Sequence, residues 1–95
     1  MRIVHWGKAR QFMRRHPGSI APLRHWRAVV RNERWKSFAD VKTTFGSADR
    51  VGEYTIFDIG GNNFRLVAIV AFINEVVYIR QILTHEQYDE NKWRR

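Results

Sequence analysis

Side chains that can move protons lie where a predicted strand gives way to a predicted helix. The strand-like run VVYIRQIL is followed directly by THEQYDENKW. In this second stretch His85, Tyr88 and Asp89 are spaced i, i+3 and i+4, so a helix would place them on one face. Thr84 and Gln87 form the Thr-x-x-Gln pattern of a capping box, which predicts a helix that begins at His85 and runs toward residue 93. The capping box accounts for Thr84 and Gln87 and leaves His85 available for chemistry.

Two predicted hairpins bring arginines toward this histidine. Three runs have the composition and bounding turns of strands: 54–59, 64–73 and 76–83. The GGNN turn between the first two runs places Asp58 opposite Arg65. A two-residue Asn74-Glu75 loop between the last two runs gives three further pairs: Ile73 with Val76, Ile69 with Arg80, and Arg65 with Thr84. The register therefore predicts a polar corner at one end of an antiparallel meander.

The same register predicts two faces of different character. One face is almost wholly apolar and should pack on helices: Phe57, Ile59, Leu66, Ala68, Val70, Phe72, Val77, Ile79 and Leu83. The opposite face is polar: Asp58, Arg65, Tyr78, Arg80 and Thr84. His85 follows directly after this polar face.

These residue types have the chemistry to cleave RNA. Cleavage needs a base for the ribose 2′-hydroxyl, an acid for the leaving 5′-oxygen and cationic donors for the charge on the phosphorane, and its product is a 2′,3′-cyclic phosphate. We predict that His85 is the base or the acid and that Tyr88 orients the reacting groups or donates a hydrogen bond. Arg65 and Arg80 are predicted to bind the phosphate in bidentate fashion. GGNN has no following Lys-Ser/Thr, so it is a hairpin turn rather than a phosphate loop.

The N-terminal half predicts one strand and two helices. Residues 1–6 favour a short strand, residues 8–16 have helical spacing, and Ser19 can cap a second helix with Pro22 in its first turn. Three residues of that second helix form an apolar stripe: Leu23, Trp26 and Val30. Four arginines repeat beside this stripe and are predicted to bind RNA phosphates, although an ordinary solvated face is equally compatible with the pattern: Arg24, Arg27, Arg31 and Arg34. We call these four residues the cationic rail. Residues 39–53 are predicted to be a turn-rich connector with one short amphipathic piece.

Composition predicts one domain over residues 1–95 with a polyanionic partner. The chain is 44% hydrophobic with thirteen aromatic residues, which indicates a folded core. Its net charge is +8, and residues 1–50 carry twelve basic and three acidic side chains while residues 51–95 carry five and six. A basic half of this kind attracts nucleic acid through its phosphates.

Several classes of site and location are not expected. The chain has no cysteine, and its four histidines lack paired ligand spacing, so we predict neither a metal site nor a cofactor. The start of the chain lacks the apolar region of a signal peptide, and no apolar run is long enough for a membrane span. We therefore expect a cytoplasmic protein without a membrane partner.

The motifs resemble a known family. The residues that carry the resemblance are Gly60-Gly61-Asn62, Arg65-Leu66, Ile79-Arg80 and Thr84-His85-x-x-Tyr88-Asp89, preceded by Lys42, Phe45 and Asp49. Across residues 41–89 this pattern is similar to the HigB-type toxins of bacterial toxin-antitoxin pairs, within the RelE-like group of mRNA interferases. The resemblance implies a RelE-like α+β fold, in which an antiparallel sheet of an N-terminal strand and a three-stranded meander packs against two N-terminal helices, followed by a short C-terminal helix.

The resemblance also implies function and partners. It implies cleavage of mRNA, typically on the translating ribosome, and neutralisation by a HigA-type antitoxin whose helix-turn-helix domain makes any DNA contact indirect. His85, Arg65, Arg80 and Tyr88 match motif positions of the site. Lys42 matches a further motif position, and we predict that Lys42 and Asn62 contact RNA.

Two other functions remain compatible with the sequence. A non-catalytic RNA-binding module could use the cationic rail together with exposed aromatic residues. A protein-interaction domain could instead present its basic half to an acidic partner.

Overall fold

A five-stranded sheet with helices on one face forms the frame of the protein. The computed structural model describes residues 1–94. Along the chain the elements are β1 (Arg2–Val4), α1 (Trp6–Arg15), α2 (Ile20–Arg31), α3 (Phe38–Thr44), β2 (Asp49–Val51), β3 (Tyr54–Ile59), β4 (Phe64–Ala71), β5 (Val76–Thr84) and α4 (His85–Asp89), with short 3₁₀ turns at Pro17–Ser19 and Lys92–Arg94. The predicted α+β class is confirmed. No helix within these 94 residues is long and apolar enough to cross a membrane.

The sheet contains the predicted meander and two features that the sequence did not reveal. Its strand order is β1-β5-β4-β3-β2. β3, β4 and β5 are antiparallel neighbours as predicted, but β1 pairs with β5 in parallel. Such a parallel pair needs a crossover connection, which α1 and the following elements provide. The predicted connector contains α3 and the edge strand β2, which pairs with β3.

The inner face of the sheet, against α1 and α2, carries the main core. Leu23, Trp26 and Val30 are buried there, as the apolar stripe of α2 predicts. They pack with residues of three strands: Phe57, Ile59, Leu66, Ala68, Val77, Ile79 and Ile82. α3 adds Val41 to this cluster. The inner face therefore holds the helices, and the outer face is where side chains can meet a ligand.

The outer face has a smaller apolar cluster of its own. Ile56, Val67 and Trp93 are buried in it, with four partly buried residues around them: Val51, Tyr54, Leu83 and Tyr88. Trp93 lies in the 3₁₀ turn that follows α4. The C-terminal segment thus folds back over the outer face of β3, β4 and β5, and we call this group of seven the outer cluster.

The two hairpin predictions had different outcomes. Asp58 pairs with Arg65 across the GGNN turn, as predicted. The second hairpin is wrong by two residues, because Ala71 pairs with Val76 and the loop has four residues rather than two. Ile69 therefore lies opposite Tyr78 and not opposite Arg80.

A bulge in β5 changes the register again. Val67 pairs with Gln81 and Ala68 with Ile79, so Arg80 lies between them without a partner in the ladder. An extra residue in one strand moves the following side chains to the opposite faces. Leu83 therefore lies in the outer cluster, and the prediction that it faces the helices is wrong; Ile82 takes that place. Arg65 pairs with Leu83, not with Thr84.

Helix boundaries also differ from the predictions at two places. α2 ends at Arg31, so Arg34 lies in the loop beyond it and the cationic rail is not continuous along one helix. The capping box at Thr84 is present, but α4 ends at Asp89 rather than near residue 93. Asn91 has a φ of 64°, which interrupts the helical backbone before the final turn.

Candidate active site

Arg65 is held in place by three contacts at the end of β4. Its Nε lies 3.1 Å from Oδ1 of Asp58, its cross-strand partner. Its Nη1 donates to the carbonyl of Phe64 at 3.1 Å, and its Nη2 donates to the side-chain oxygen of Asn62. Only 11% of the Arg65 side chain is exposed. A guanidinium has five N–H donors, so both Nη atoms keep one hydrogen with which to contact an anion.

His85 is positioned by the start of α4. Its backbone N–H donates to the carbonyl of Asn63 at 3.0 Å, and the capping box of Thr84 and Gln87 fixes the first turn through bonds of 3.0 and 3.2 Å. Its Nδ1 lies 3.2 Å from Oδ2 of Asp89, one helical turn later. Nδ1 is shielded from solvent and the carboxylate approaches it off the line of a hydrogen bond, while 41% of the side chain is exposed. The ring therefore presents its other side to solvent.

The turn between β3 and β4 connects these two residues. Gly60 and Gly61 have φ angles of 64° and 67°, a region that glycine adopts without strain. The two following asparagines contact both residues: the side-chain oxygen of Asn62 accepts from Arg65, and the backbone carbonyl of Asn63 accepts from the His85 N–H. The GGNN sequence thus holds a cation and an imidazole at the same corner.

Tyr88 completes the corner from the outer face. The guanidinium carbon of Arg65 lies 5.6 Å from the centre of its ring, and the ring stacks on Trp93 at 5.2 Å with an interplanar angle of 14°. Burial raises the pKa of the Tyr88 phenol, and the nearby carboxylate of Asp49 adds to this effect, whereas Arg65 opposes it. The phenol is consequently protonated at neutral pH and can donate a hydrogen bond.

Arg80 lies on the outer face, at the edge of the outer cluster. It occupies the β5 bulge, and its exposed guanidinium lies 5.9 Å from the ring centre of Tyr54. The Tyr54 ring meets Trp93 edge-on at 5.7 Å, and Trp93 in turn stacks on Tyr88. A row of three aromatic rings on the outer face therefore lies between Arg80 and Arg65. The observed register places Arg80 beside Val67 and Ala68 rather than opposite Ile69, which brings it nearer to Arg65 along the sheet than predicted.

Lys42 borders the corner from the side of β2. It is on α3, and its Nζ donates to the carbonyl of Ala48 at 2.8 Å. Ala48 directly precedes Asp49, the residue whose charge acts on Tyr88. Lys42 thus fastens the start of β2 beside the candidate site.

The four arginines of the cationic rail lie in different surroundings. Arg27 stacks on Trp6 with 4.8 Å between its guanidinium carbon and the ring centre. Arg31 and Arg34 line a cavity of about 800 Å³ beside the loop that precedes β5, and Arg24 is exposed on α2. His85 follows the other end of that nine-residue strand, roughly 30 Å away along its axis. Arg31 and Arg34 are therefore not part of the corner, whereas the first turn of α2 lies beside the GGNN turn, with Pro22 next to Gly60.

Two residues of the site were not found from the sequence. Trp93 stacks on Tyr88 and also donates from Nε1 to the Tyr88 carbonyl at 3.2 Å. Asn63 receives the His85 N–H, but only a backbone carbonyl is involved, and no side-chain pattern reveals such a contact. The sequence signal for Trp93 was a large aromatic residue in an otherwise polar terminal segment. Within residues 1–94, no group of three or more His, Asp and Glu side chains is placed to hold a metal ion.

Comparison with known proteins adds an independent finding. Residues 19–91 match the model of the HigB toxin family, described as the RelE-like toxic component of a toxin-antitoxin system. The mRNA interferase HigB of Escherichia coli O6:H1 is 24% identical over 93 residues, which cover 95% of this chain and 90% of that protein. The mRNA interferase toxin HigB of Escherichia coli K12 is 36% identical over 58 residues, which cover 58% of this chain and 56% of that protein. The matched family segment contains all the residues of the corner except Trp93.

Proposed function

The chain belongs to the HigB toxin family, the RelE-like toxic component of toxin-antitoxin systems, and from this membership we propose that it is an mRNA interferase. It cleaves mRNA as an endoribonuclease and so inhibits translation and growth. The observation that carries this proposal is the corner formed by Arg65, His85 and Tyr88, where a fixed cation, an imidazole and a protonated phenol are held by one turn and one short helix.

The proposed reaction needs only groups of the chain and the RNA itself. The ribose 2′-oxygen attacks the adjacent phosphorus, the bond from phosphorus to the 5′-oxygen breaks, and the products are a 2′,3′-cyclic phosphate and a 5′-hydroxyl. One proton leaves the 2′-hydroxyl and one reaches the 5′-oxygen, so proton transfer can accelerate both ends of the reaction. His85 carries out one of these two transfers through Nε2, because Nδ1 faces Asp89.

The other residues act on charge and orientation. Asp89 lies 3.2 Å from Nδ1 and orients the imidazole. The two remaining N–H groups of Arg65 face the charge that builds on the phosphate oxygens, and Asp58 keeps the guanidinium in position. Tyr88 donates a hydrogen bond to the same phosphate. Arg80, Lys42 and Asn62 bind the flanking RNA.

The partners follow from the family and from the charge distribution. We propose that cleavage takes place in the cytoplasm on the translating ribosome, where the cationic rail contacts ribosomal RNA at a distance from the corner. A HigA-type antitoxin with a helix-turn-helix domain neutralises the toxin, and DNA is contacted only through that antitoxin.

Primer extension on a defined mRNA tests the enzymatic proposal. The reaction is run in a reconstituted translation system with and without ribosomes, using the unmodified protein, His85→Ala and the matched control His25→Ala, whose histidine is exposed on α2. Loss of a positioned acid or base should lower the cleavage rate by about 10²- to 10⁴-fold in His85→Ala, with RNA binding retained and His25→Ala unaffected. Equal cleavage by His85→Ala would contradict the assigned role of His85. Cleavage that does not depend on ribosomes would contradict the proposed site of action.

The alternative is a non-catalytic RNA-binding module, which the basic first half of the chain favours. It predicts RNA affinity that falls steeply with salt and no new RNA ends under any condition. New 5′ ends that disappear in His85→Ala would exclude it.

A further inference from the structure

A second polar cavity lies at the open edge of β5, away from the corner. It has a volume of about 660 Å³, and its lining residues are His5, Lys8, Ile69, Tyr78, Ile79, Arg80 and Gln81. Neither His85 nor Arg65 lines it. Apart from Arg80, none of these residues has a part in the cleavage proposed above.

The fold leaves this cavity open for a physical reason. β1 ends at Val4, which pairs with Tyr78, so the rest of that edge of β5 has no neighbouring strand. α1 contacts β5 in its place, and Lys8 on α1 donates from Nζ to the carbonyl of Arg80 at 2.9 Å. The step from β1 to α1 is made by His5.

Two irregular backbone features meet at the cavity. His5 has φ 72° and ψ 34°, a left-handed conformation that costs free energy for a residue other than glycine. The bulge in β5 leaves Arg80 out of the strand ladder and lets its side chain lie on the exposed surface. Bulges of this kind often lie next to binding sites, where they redirect a side chain.

The lining has the chemistry of a nucleotide site. Lys8 and Arg80 are exposed cations, Gln81 can donate or accept, and Tyr78 offers an aromatic ring. No carboxylate is among the residues in the described chain that line the cavity. Cations that bind phosphate beside a ring on which a base can stack are the usual elements of single-stranded RNA binding.

We propose that this cavity binds one nucleotide of the RNA substrate, next to the nucleotides that occupy the corner. Its phosphate lies between Lys8 and Arg80, and its base stacks on Tyr78. Arg80 connects the two regions, because its guanidinium is also next to Tyr54 at the edge of the outer cluster. Arg80 precedes Leu83, the partner of Arg65, by three positions, which corresponds to about 10 Å along the strand. This inference rests on the proposed function for the identity of the ligand.

The combination of two cations and an aromatic ring favours RNA over a protein as the occupant. An acidic protein segment could pair with Lys8 and Arg80, but it would give Tyr78 no particular role. A nucleotide uses both the cations and the ring. The test below therefore separates stacking from charge.

Binding is measured first, on proteins that cannot cleave. Fluorescence anisotropy of a labelled single-stranded RNA oligonucleotide is recorded with the full chain carrying His85→Ala. Lys8→Gln is added to remove the charge, Tyr78→Leu to remove the ring and Tyr78→Phe to keep it, with Lys36→Gln as the matched control on an exposed loop lysine. Circular dichroism of each variant confirms the fold.

The expected changes are specific. Tyr78→Leu should raise the dissociation constant about 5- to 150-fold, the range for loss of one base stacked on an aromatic ring, whereas Tyr78→Phe should retain the affinity. Lys8→Gln should weaken binding and reduce the slope of log K against log salt by about 0.7, the value for one phosphate contact on a single strand. Lys36→Gln should change neither quantity.

Kinetics and a competitor then separate the possible outcomes. In a protein that retains His85, Tyr78→Leu should raise KM for mRNA cleavage and leave kcat unchanged. Unaltered RNA affinity in both Tyr78→Leu and Lys8→Gln would overturn this inference even if the unmodified protein cleaves mRNA. If the unmodified protein does not cleave mRNA but the two variants bind RNA more weakly, the proposed function would be overturned and the cavity would remain supported as an RNA-binding site. Polyglutamate could instead displace the RNA and bind Tyr78→Leu as tightly as it binds the unmodified chain. This result would assign the cavity to an acidic protein and refute the inference.

Discussion

Replacing Trp93 should detach α4 from the sheet without unfolding the protein. The Trp93 side chain is 7% exposed and packs on Ile56 and Val67 in the outer cluster. Its ring also contacts Tyr88 at 5.2 Å and Tyr54 at 5.7 Å. All these contacts are on the outer face, whereas the main core lies on the inner face. The loss of Trp93 should therefore act first on the C-terminal segment.

The expected magnitude follows from the buried area. A buried tryptophan removes about 150–250 Å² from water, which corresponds to about 4–6 kcal/mol as an upper bound. Substitution of a buried tryptophan by alanine typically lowers stability by about 3–5 kcal/mol. Trp93→Phe keeps a ring in the stack but loses the hydrogen bond from Nε1 to the Tyr88 carbonyl, which contributes about 1 kcal/mol. The two variants should differ by several kcal/mol.

Native-state hydrogen exchange measures this effect residue by residue. In Trp93→Ala the amides of α4 should lose about 3–5 kcal/mol of protection, or all of it where the starting protection is smaller, while amides of β4 stay protected. Trp93→Phe should retain most of the protection of α4. Cleavage by Trp93→Ala should fall together with this protection, because His85 and Tyr88 are both on α4. Protection of α4 within about 1 kcal/mol of the unmodified protein would refute the positioning role of Trp93.

Three further predictions concern the same corner. Thr84→Ala removes the oxygen that accepts from the Gln87 amide, so the free energy of unfolding should fall by about 0.5–2 kcal/mol in urea titrations, and Thr84→Ser should restore it. Asp58→Asn leaves the nearly buried Arg65 without its carboxylate and should lower stability by about 1–3 kcal/mol and reduce cleavage, while Glu53→Gln on the exposed turn should do neither. Burial raises the pKa of Tyr88 above its ordinary 10.0, so the folded chain holds this proton more tightly than the unfolded chain does. The resulting stabilisation is complete below pH 10.0 and is lost as the pH rises through the pKa of the folded state. The difference in ultraviolet absorbance between the unmodified protein and Tyr88→Phe should titrate above that pH, and titration below it would contradict the assigned environment.

Local patterns in the sequence predicted the elements next to the corner well. The capping box at Thr84 and the pairing of Asp58 with Arg65 were both present in the structure. Each depends on a short segment whose turn or cap residues permit few alternatives. Consecutive glycines permit the left-handed backbone of a tight turn, and a Thr-x-x-Gln pattern caps a helix start, so neither prediction needed tertiary information.

The second hairpin could not be predicted in the same way. A shift of two residues keeps every side chain on the same face, so the alternation of apolar residues does not distinguish a two-residue loop from a four-residue loop. The bulge at Arg80 is equally hidden, because Ile82 and Leu83 are both apolar and either can face the helices. The predicted pairing of Arg80 with Ile69 depended on both features and was therefore wrong.

Elements with weak patterns were missed for another reason. β2 is only three residues long, and two of them, Asp49 and Arg50, are exposed. Its position is set by pairing with β3 rather than by its own composition. Trp93 likewise has no periodic neighbours, and its burial results from a chain reversal at Asn91.

The parallel pairing of β1 with β5 has a consequence for synthesis of the toxin. The two strands come from opposite ends of the chain, and β5 lies between β1 and β4 in the sheet. Contacts of such large sequence separation form late in folding, because the whole intervening loop must be ordered first. A ribosome that is still translating this chain therefore carries an incomplete sheet, in which Arg65 has no Leu83 opposite it and α4 does not yet exist. The corner of Arg65, His85 and Tyr88 is therefore complete only after α4 has been synthesised.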